Sequence, residues 1–344
     1  MKNILLSLAA TTAFATLLCS CAKEETPNIE PYYDTPAAEV VFITEENEAS
    51  RAFFDPSATT EAWEKSLSSL TVFCFGEDGN LLVRRNFTSD EIAARTSTFA
   101  LPRTSAGKNV EFYALANTAV DESVTTKAAL TALVESAPEN YNGTFTDVST
   151  KALRSGGFLM SGSAAKAVAA SGAATQVAIT LKRDVAKVAV QTSLSEEFAS
   201  RYPGSVTITS AKISRAAMQT PYFSGTVKPG AMTYAHTQTP GTASGKFNSL
   251  FYLFENGTLA SGSRVLLTLE GIYDRDGKSA TSDDQIPVTY EVELTGSSNN
   301  GQLMRNGYYR VAVSLTGLTG QDVTASITVA PWETPATQTI SLGK

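Results

Sequence analysis

The 344-residue sequence holds only three cysteines and one histidine. Cys19 and Cys21 lie at the end of an N-terminal apolar run, which leaves the body with Cys74 alone. One thiol cannot form an internal disulfide, so no covalent staple supports the fold and its stability must come from packing. Cys74 sits in the run Leu70-Thr71-Val72-Phe73-Cys74-Phe75 and reads as a small buried hydrophobe. His236 falls in a Gly/Thr/Pro-rich stretch and reads as a solvated loop residue, not a general base. Charge is sparse, with 18% of residues ionised and a net −7, which argues against nucleic acid as a partner. There is no His-Glu-x-x-His, Cys-x-x-Cys, phosphate loop or Gly-x-Ser-x-Gly elbow. Asp274-Arg275-Asp276-Gly277, with Asp283-Asp284 nearby, lacks the ligand spacing of a calcium loop and reads as a hairpin turn. The two tryptophans, Trp63 and Trp332, are too far apart in sequence to suggest a glycan platform. We therefore expect no catalytic residue, no metal and no cofactor.

Long apolar runs are missing too. The stretch Ile4 to Ala15 behind Lys2 is too short to span a bilayer, and nothing later is apolar enough to cross one. The early stretch reads as a signal peptide, 1–20, because it ends in Leu18-Cys19-Ser20-Cys21. A small residue before a cysteine, with leucine three before it, is a lipobox. Cleavage before Cys21 would leave that residue acylated, and several acyl chains anchor a protein durably.

What is present is Thr, Ser, Val, Ala and Gly in short alternating segments, the composition of half-buried strands joined by turns. Residues 22–38 carry Pro27, Pro31 and Pro36 among polar groups and read as a tether. Glu39 to Thr44 is a strand apolar on both faces, expected to lie between a sheet and a cover. The polar loop Glu45 to Arg51 follows. Leu67–Phe75 and Leu81–Phe87 read as a hairpin around Asp78-Gly79, and Ser97–Leu101, Asn109–Ala116 and Gln176–Leu181 as further strands. Lys127 to Glu135 reads as a short helix, and Ser163 to Ala174 as an Ala/Ser/Gly-rich loop. A second strand series opens at Val185 and continues at Val206–Ile213, Leu250–Glu255, Arg264–Tyr273, Ile286–Leu294, Tyr308–Leu315 and Thr324–Ala330. Residues 217–246 read as a surface excursion. The fold class is all-β, with two β-sandwiches in series: 52–183 and 184–332, preceded by 21–51 and followed by a tail, 333–344.

Six segments together resemble the fimbrillin family of pilus lipoproteins. They are Leu70–Phe75 with Asp78-Gly79, Phe112–Asn117, Leu181–Val188, Phe251–Asn256, Met304–Tyr309 and Ile327–Trp332. They stand in family order behind a lipobox. The resemblance implies transthyretin-like sandwiches and a subunit exported as a lipoprotein to the outer membrane and cell surface. It implies that an arginine-specific protease removes an N-terminal strand, here Val40, Val41, Phe42 and Ile43, by cutting between Arg51 and Ala52. It implies that a tail strand, here Ala336, Gln338, Ile340 and Leu342, fills the slot of a neighbouring subunit. Arg183 is expected to be less exposed than Arg51. The cut would also shed Lys23, Arg51 and eight acidic residues, moving the acylated chain from −8 to −2. Expected partners are identical or related pilin subunits, the outer membrane through the lipid, the protease, and a host or microbial surface receptor. The roles implied are pilus subunit in adhesion and biofilm formation, or accessory anchor or tip pilin; a surface glycan-binding lipoprotein is the competing reading from a different class.

Overall fold

The computed structural model describes residues 32–44, 62–136, 142, 145–146, 149–150, 156–223, 234–238, 247–278, 280–296, 298–318 and 323–331. All belong to the compact unit that starts at Tyr32.

The fold is all-β. In the first half the strands are β1 (Ala37–Thr44), β2 (Leu70–Phe75), β3 (Leu81–Asn86), β4 (Thr96–Ala100), β5 (Asn109–Ala116), β6 (Val134–Ser136), β7 (Phe145–Thr146), β8 (Ser149–Thr150), β9 (Met160–Ala167) and β10 (Thr175–Arg183). Seven of them run in the order β3-β2-β5-β9-β10-β1-β4. β10 turns the sheet over its own face. Its last two residues pair with β9, while Thr175 to Leu181 pair with β1. The enclosed core joins Val40 and Phe42 to Val72, Cys74, Val110 and Phe112 on the facing strands.

β10 shows why a strand forms here. Val177, Ile179 and Leu181 point inward and Gln176, Ala178, Thr180 and Lys182 outward, the period of two that a half-buried strand requires. β2 is buried on both faces for a different reason. Leu70, Val72 and Cys74 face the main core, while Phe73 and Phe75 join a smaller cluster with Leu115, Leu130 and Phe223. Cys74 is fully buried, and burial pushes its thiol pKa up. It should therefore resist alkylation in the native protein and react after denaturation, a mass-spectrometric measurement; rapid native labelling would contradict its placement.

The second half adds β11 (Val185–Leu194), β12 (Ser205–Ala216), β13 (Gln219–Pro221), β14 (Tyr234–Gln238), β15 (Asn248–Phe254), β16 (Leu266–Asp274), β17 (Gln285–Glu293), β18 (Gly307–Leu315) and β19 (Val323–Pro331). Two four-stranded sheets, β15-β11-β18-β19 and β14-β12-β16-β17, enclose a second core. β11 is the hinge of the architecture. Ala186, Val188 and Val190 enter the second core, whereas Val185 and Ala189 enter the first. Its nearly unbroken apolar run reflects burial on both faces.

Four expectations are corrected. β1 is not covered on both faces: Val41 is half-buried and Ile43 is 48% exposed. The expected loop from Ser163 is strand as far as Ala167, because β5 offers it a complete antiparallel partner over Asn109–Ala116. The helix from Lys127 stops at Thr131, since only Leu130 anchors it, and the chain then joins β13 as β6. Within 217–246, β13 and β14 are strands, and the backbone of His236 pairs with Ile213.

Candidate functional site: the strand slot and its anchor

β1 lies between two strands. It pairs in parallel with β10 from Ala38 to Thr44, and antiparallel with β4 from Ala37 to Val41. Both edges are thus hydrogen-bonded, and Phe42 N–H adds a bond to the Arg95 carbonyl at 3.1 Å. Ala38, Val40, Phe42 and Thr44 point inward and are buried. Phe42 meets Phe87 edge-on at 5.8 Å between ring centres. Glu39, Val41 and Ile43 form the outer row, and Glu39 accepts a hydrogen bond from the Gln176 amide. Burying Val40 and Phe42 stabilises this arrangement by about 1.5–3 kcal/mol each. Without β1, β10 and β4 would each carry an open edge, a template for another strand.

The β4 flank is held independently. Thr88 caps the short helix α1 (Ser89–Ala94), where its side chain and that of Glu91 form a capping box. The Glu91 carboxylate also accepts from Ser97 of β4 and from Arg85 of β3, the latter at 2.6 Å. Burial acts to raise the Glu91 pKa, but the bonds from Ser97, Thr88 and Arg85 outweigh it and hold the pKa at about 2. A depressed carboxylate contributes stability that is complete above its unfolded pKa, near 4.5, and is lost as pH falls through about 2. Glu91→Gln should therefore flatten the acid limb of stability between those values in denaturant melts at stepped pH. An unchanged acid limb would remove Glu91 from the account.

Downstream of β1 the chain is anchored. Residues Ala62–Lys65 form one 3₁₀ turn. Trp63 packs on Phe158 and Tyr252, with ring centres 5.1 and 5.4 Å away. Glu64 is fully buried and meets the buried Lys187 ammonium of β11 at 2.7 Å. Tyr252 of β15 donates to the same carboxylate, and Arg183 donates to the Glu64 carbonyl at 2.8 Å. Arg183 also donates to Asn306 at 3.0 Å. Nearby, Arg305 pairs with Glu255 and donates to the Pro221 and Tyr222 carbonyls. Three of the six sequence landmarks, Leu181–Val188, Phe251–Asn256 and Met304–Tyr309, therefore converge on this buried polar junction.

Arg183 is 4% exposed, a buried junction residue. Arg51, Ala52, Cys21 and the tail positions Ala336, Gln338, Ile340 and Leu342 lie outside the described residues. Glu64, Glu255 and Arg305 were not singled out in the sequence. The available signal was Lys187, a lone charge inside the apolar run Val185–Val190. Asp274, Asp276 and Asp284 do gather, with carboxylate oxygens within 4.8 Å of one another. They accept hydrogen bonds from the amides of Gly277, Lys278 and Asp276, and so close the β16–β17 hairpin.

The model of the fimbrillin-A associated anchor proteins Mfa1 and Mfa2 matches residues 32–336. The chain belongs to this family. Members are fimbrial structural proteins, not enzymes, and the family places the chain with cell-surface fimbriae. No curated protein matches the sequence. Among solved structures, a fimbrilin from Porphyromonas gingivalis W83 is similar at 15% identity and a TM-score of 0.58, covering 89% of this chain and 99% of its own. The tip fimbrial protein Mfa3 of Porphyromonas gingivalis is similar at 14% identity and a TM-score of 0.52, covering 86% and 100%. A fimbrial assembly protein of Parabacteroides distasonis gives 14%, 0.53, 90% and 100%. These likenesses establish the shared fold.

Proposed function

We propose that this fimbrillin-family protein is a pilus subunit that is switched from a closed to an accepting form by loss of β1. The observation that supports this reading is the position of β1, an interior strand of its sheet whose chain continues into the segment holding Arg51. Cutting after Arg51 separates β1 from the body. The turn at Trp63 and Glu64 keeps the new N-terminal part fastened through Lys187, Tyr252 and Arg183. The slot between β10 and β4 then offers two open backbone edges and a dry floor. A strand from another subunit supplies both missing elements at once. Donor and acceptor are different surfaces, so each contact leaves one of each unused and the assembly extends. The tail 333–344 is the segment passed onward. Before the cut, acylated Cys21 holds the precursor at the outer membrane. The assembled subunit serves surface adhesion and biofilm formation.

Arg51→Ala tests this reading in cells. The variant should remain a folded, lipid-bearing, cell-bound monomer, absent from pili sheared from the surface. Incorporation equal to the wild type would overturn the switch. That outcome would favour a second reading, an anchor that keeps its lipid and β1, which is supported by the anchor family matched over 32–336.

A further inference from the structure

Resting on the reading that the β1 slot accepts a donor strand, we infer that it selects a strand from a different chain and rejects this chain's own tail. The floor of the slot has three dry positions in a row, those of Ala38, Val40 and Phe42, at 0%, 0% and 1% exposure. Thr44 follows at 3%. A matching donor is small, branched and large at alternate residues, with no polar group among the three.

The tail cannot present such a row. β19 ends at Pro331, paired with Gly307, and the donor segment is taken as Glu333 to Lys344. One face of that segment carries Thr334, Ala336, Gln338, Ile340, Leu342 and Lys344. Running in the direction of β1, Ala336 over Ala38 puts Gln338 in the Val40 site. Moving two residues toward the tail's N-terminus puts Gln338 in the Phe42 site, and two the other way puts it over Ala38. Further slippage brings Lys344 to Phe42 or Val40. In the reverse direction every register that fills the three sites from this segment again places Gln338 or Lys344 in one of them. The opposite face offers Thr337, Thr339 and Ser341, which bury hydroxyls and leave the space beside Phe87 unfilled. A buried amide or ammonium without partners is heavily penalised.

Assembly at this slot is therefore heterotypic. The incoming strand belongs to another subunit, and this tail serves an acceptor with a different floor. One substitution repairs the match: with Gln338→Val, the tail reads Ala, Val, Ile over Ala38, Val40 and Phe42.

The test uses full-length protein cut with an arginine-specific protease, with binding followed by anisotropy of labelled peptides. The Ala37–Thr44 peptide should refill the slot. The Glu333–Lys344 peptide should bind at least ~100-fold more weakly, and its Gln338→Val form should recover at least ~10-fold. Equal binding of the native tail peptide and the Ala37–Thr44 peptide would overturn the selectivity and leave the slot reading standing. Failure of the Ala37–Thr44 peptide itself to bind would overturn both.

Discussion

Replacing Lys187 with methionine should destabilise the subunit by about 3–5 kcal/mol, read from denaturant melts. The mutation removes the ammonium that meets the Glu64 carboxylate at 2.7 Å in a site with no exposure to water, and truncating one partner of a buried ion pair is strongly destabilising. Tyr252 and Arg183 still reach Glu64, but one donates a neutral hydroxyl and the other serves the backbone carbonyl. Pairing the change with Glu64→Gln should recover most of the loss, because the amide oxygen still accepts from Tyr252. A single mutant as stable as the wild type would mean that the junction does not depend on this pair. The same measurement on protein cut after Arg51 bears on function. If Glu64 fastens the shortened N-terminus, Lys187→Met should loosen it there as well, visible as faster proteolysis from Ala62 onward.

Phe42→Ala should cost the uncut precursor about 3–5 kcal/mol, as for other large aromatic truncations in a packed core. Phe42 is 1% exposed and packs edge-to-face with Phe87, so truncating it removes a buried ring and its aromatic contact. Ile43→Ala, one residue on, should cost under about 1 kcal/mol because that side chain is 48% exposed. The contrast separates a strand that is a one-sided lid from one clasped on both faces. Similar losses at both positions would contradict the observed orientation of β1.

How much of this was legible in the sequence depended on whether the signal was local. β10 declared itself through strict alternation from Gln176 to Lys182, and β5 matched the expected strand Asn109–Ala116 residue for residue. β1 was recognised as a strand, but Val41 and Ile43 misled on its covering, because apolar side chains on an exposed face look the same in sequence as buried ones. The run after Ser163 reads as a loop because Ala, Ser and Gly have little intrinsic preference for strand, whereas pairing with β5 makes it one. α1 was missed although Thr88 and Glu91 carry the capping-box spacing, since the helix is only six residues long and buries no side chain. The junction was least legible. Glu64 and Lys187 are 123 residues apart, and no local pattern says that they meet. The residues that reach it, Arg183, Tyr252 and Asn306, do lie inside the landmarks that pointed to the family, so those landmarks mark the seam between the two halves.

The most direct measurement of the account is hydrogen exchange on the precursor before and after cutting at Arg51. In the uncut protein, β10 from Gln176 to Leu181 and β4 from Thr96 to Ala100 should be protected, since both pair with β1. After the cut and removal of the released strand, protection should fall in these two segments and persist in β11 and β18, which pair with each other. Adding the Ala37–Thr44 peptide should restore it. Unchanged protection of β10 and β4 once the strand is gone would contradict the claim that β1 fills a slot made to be reoccupied.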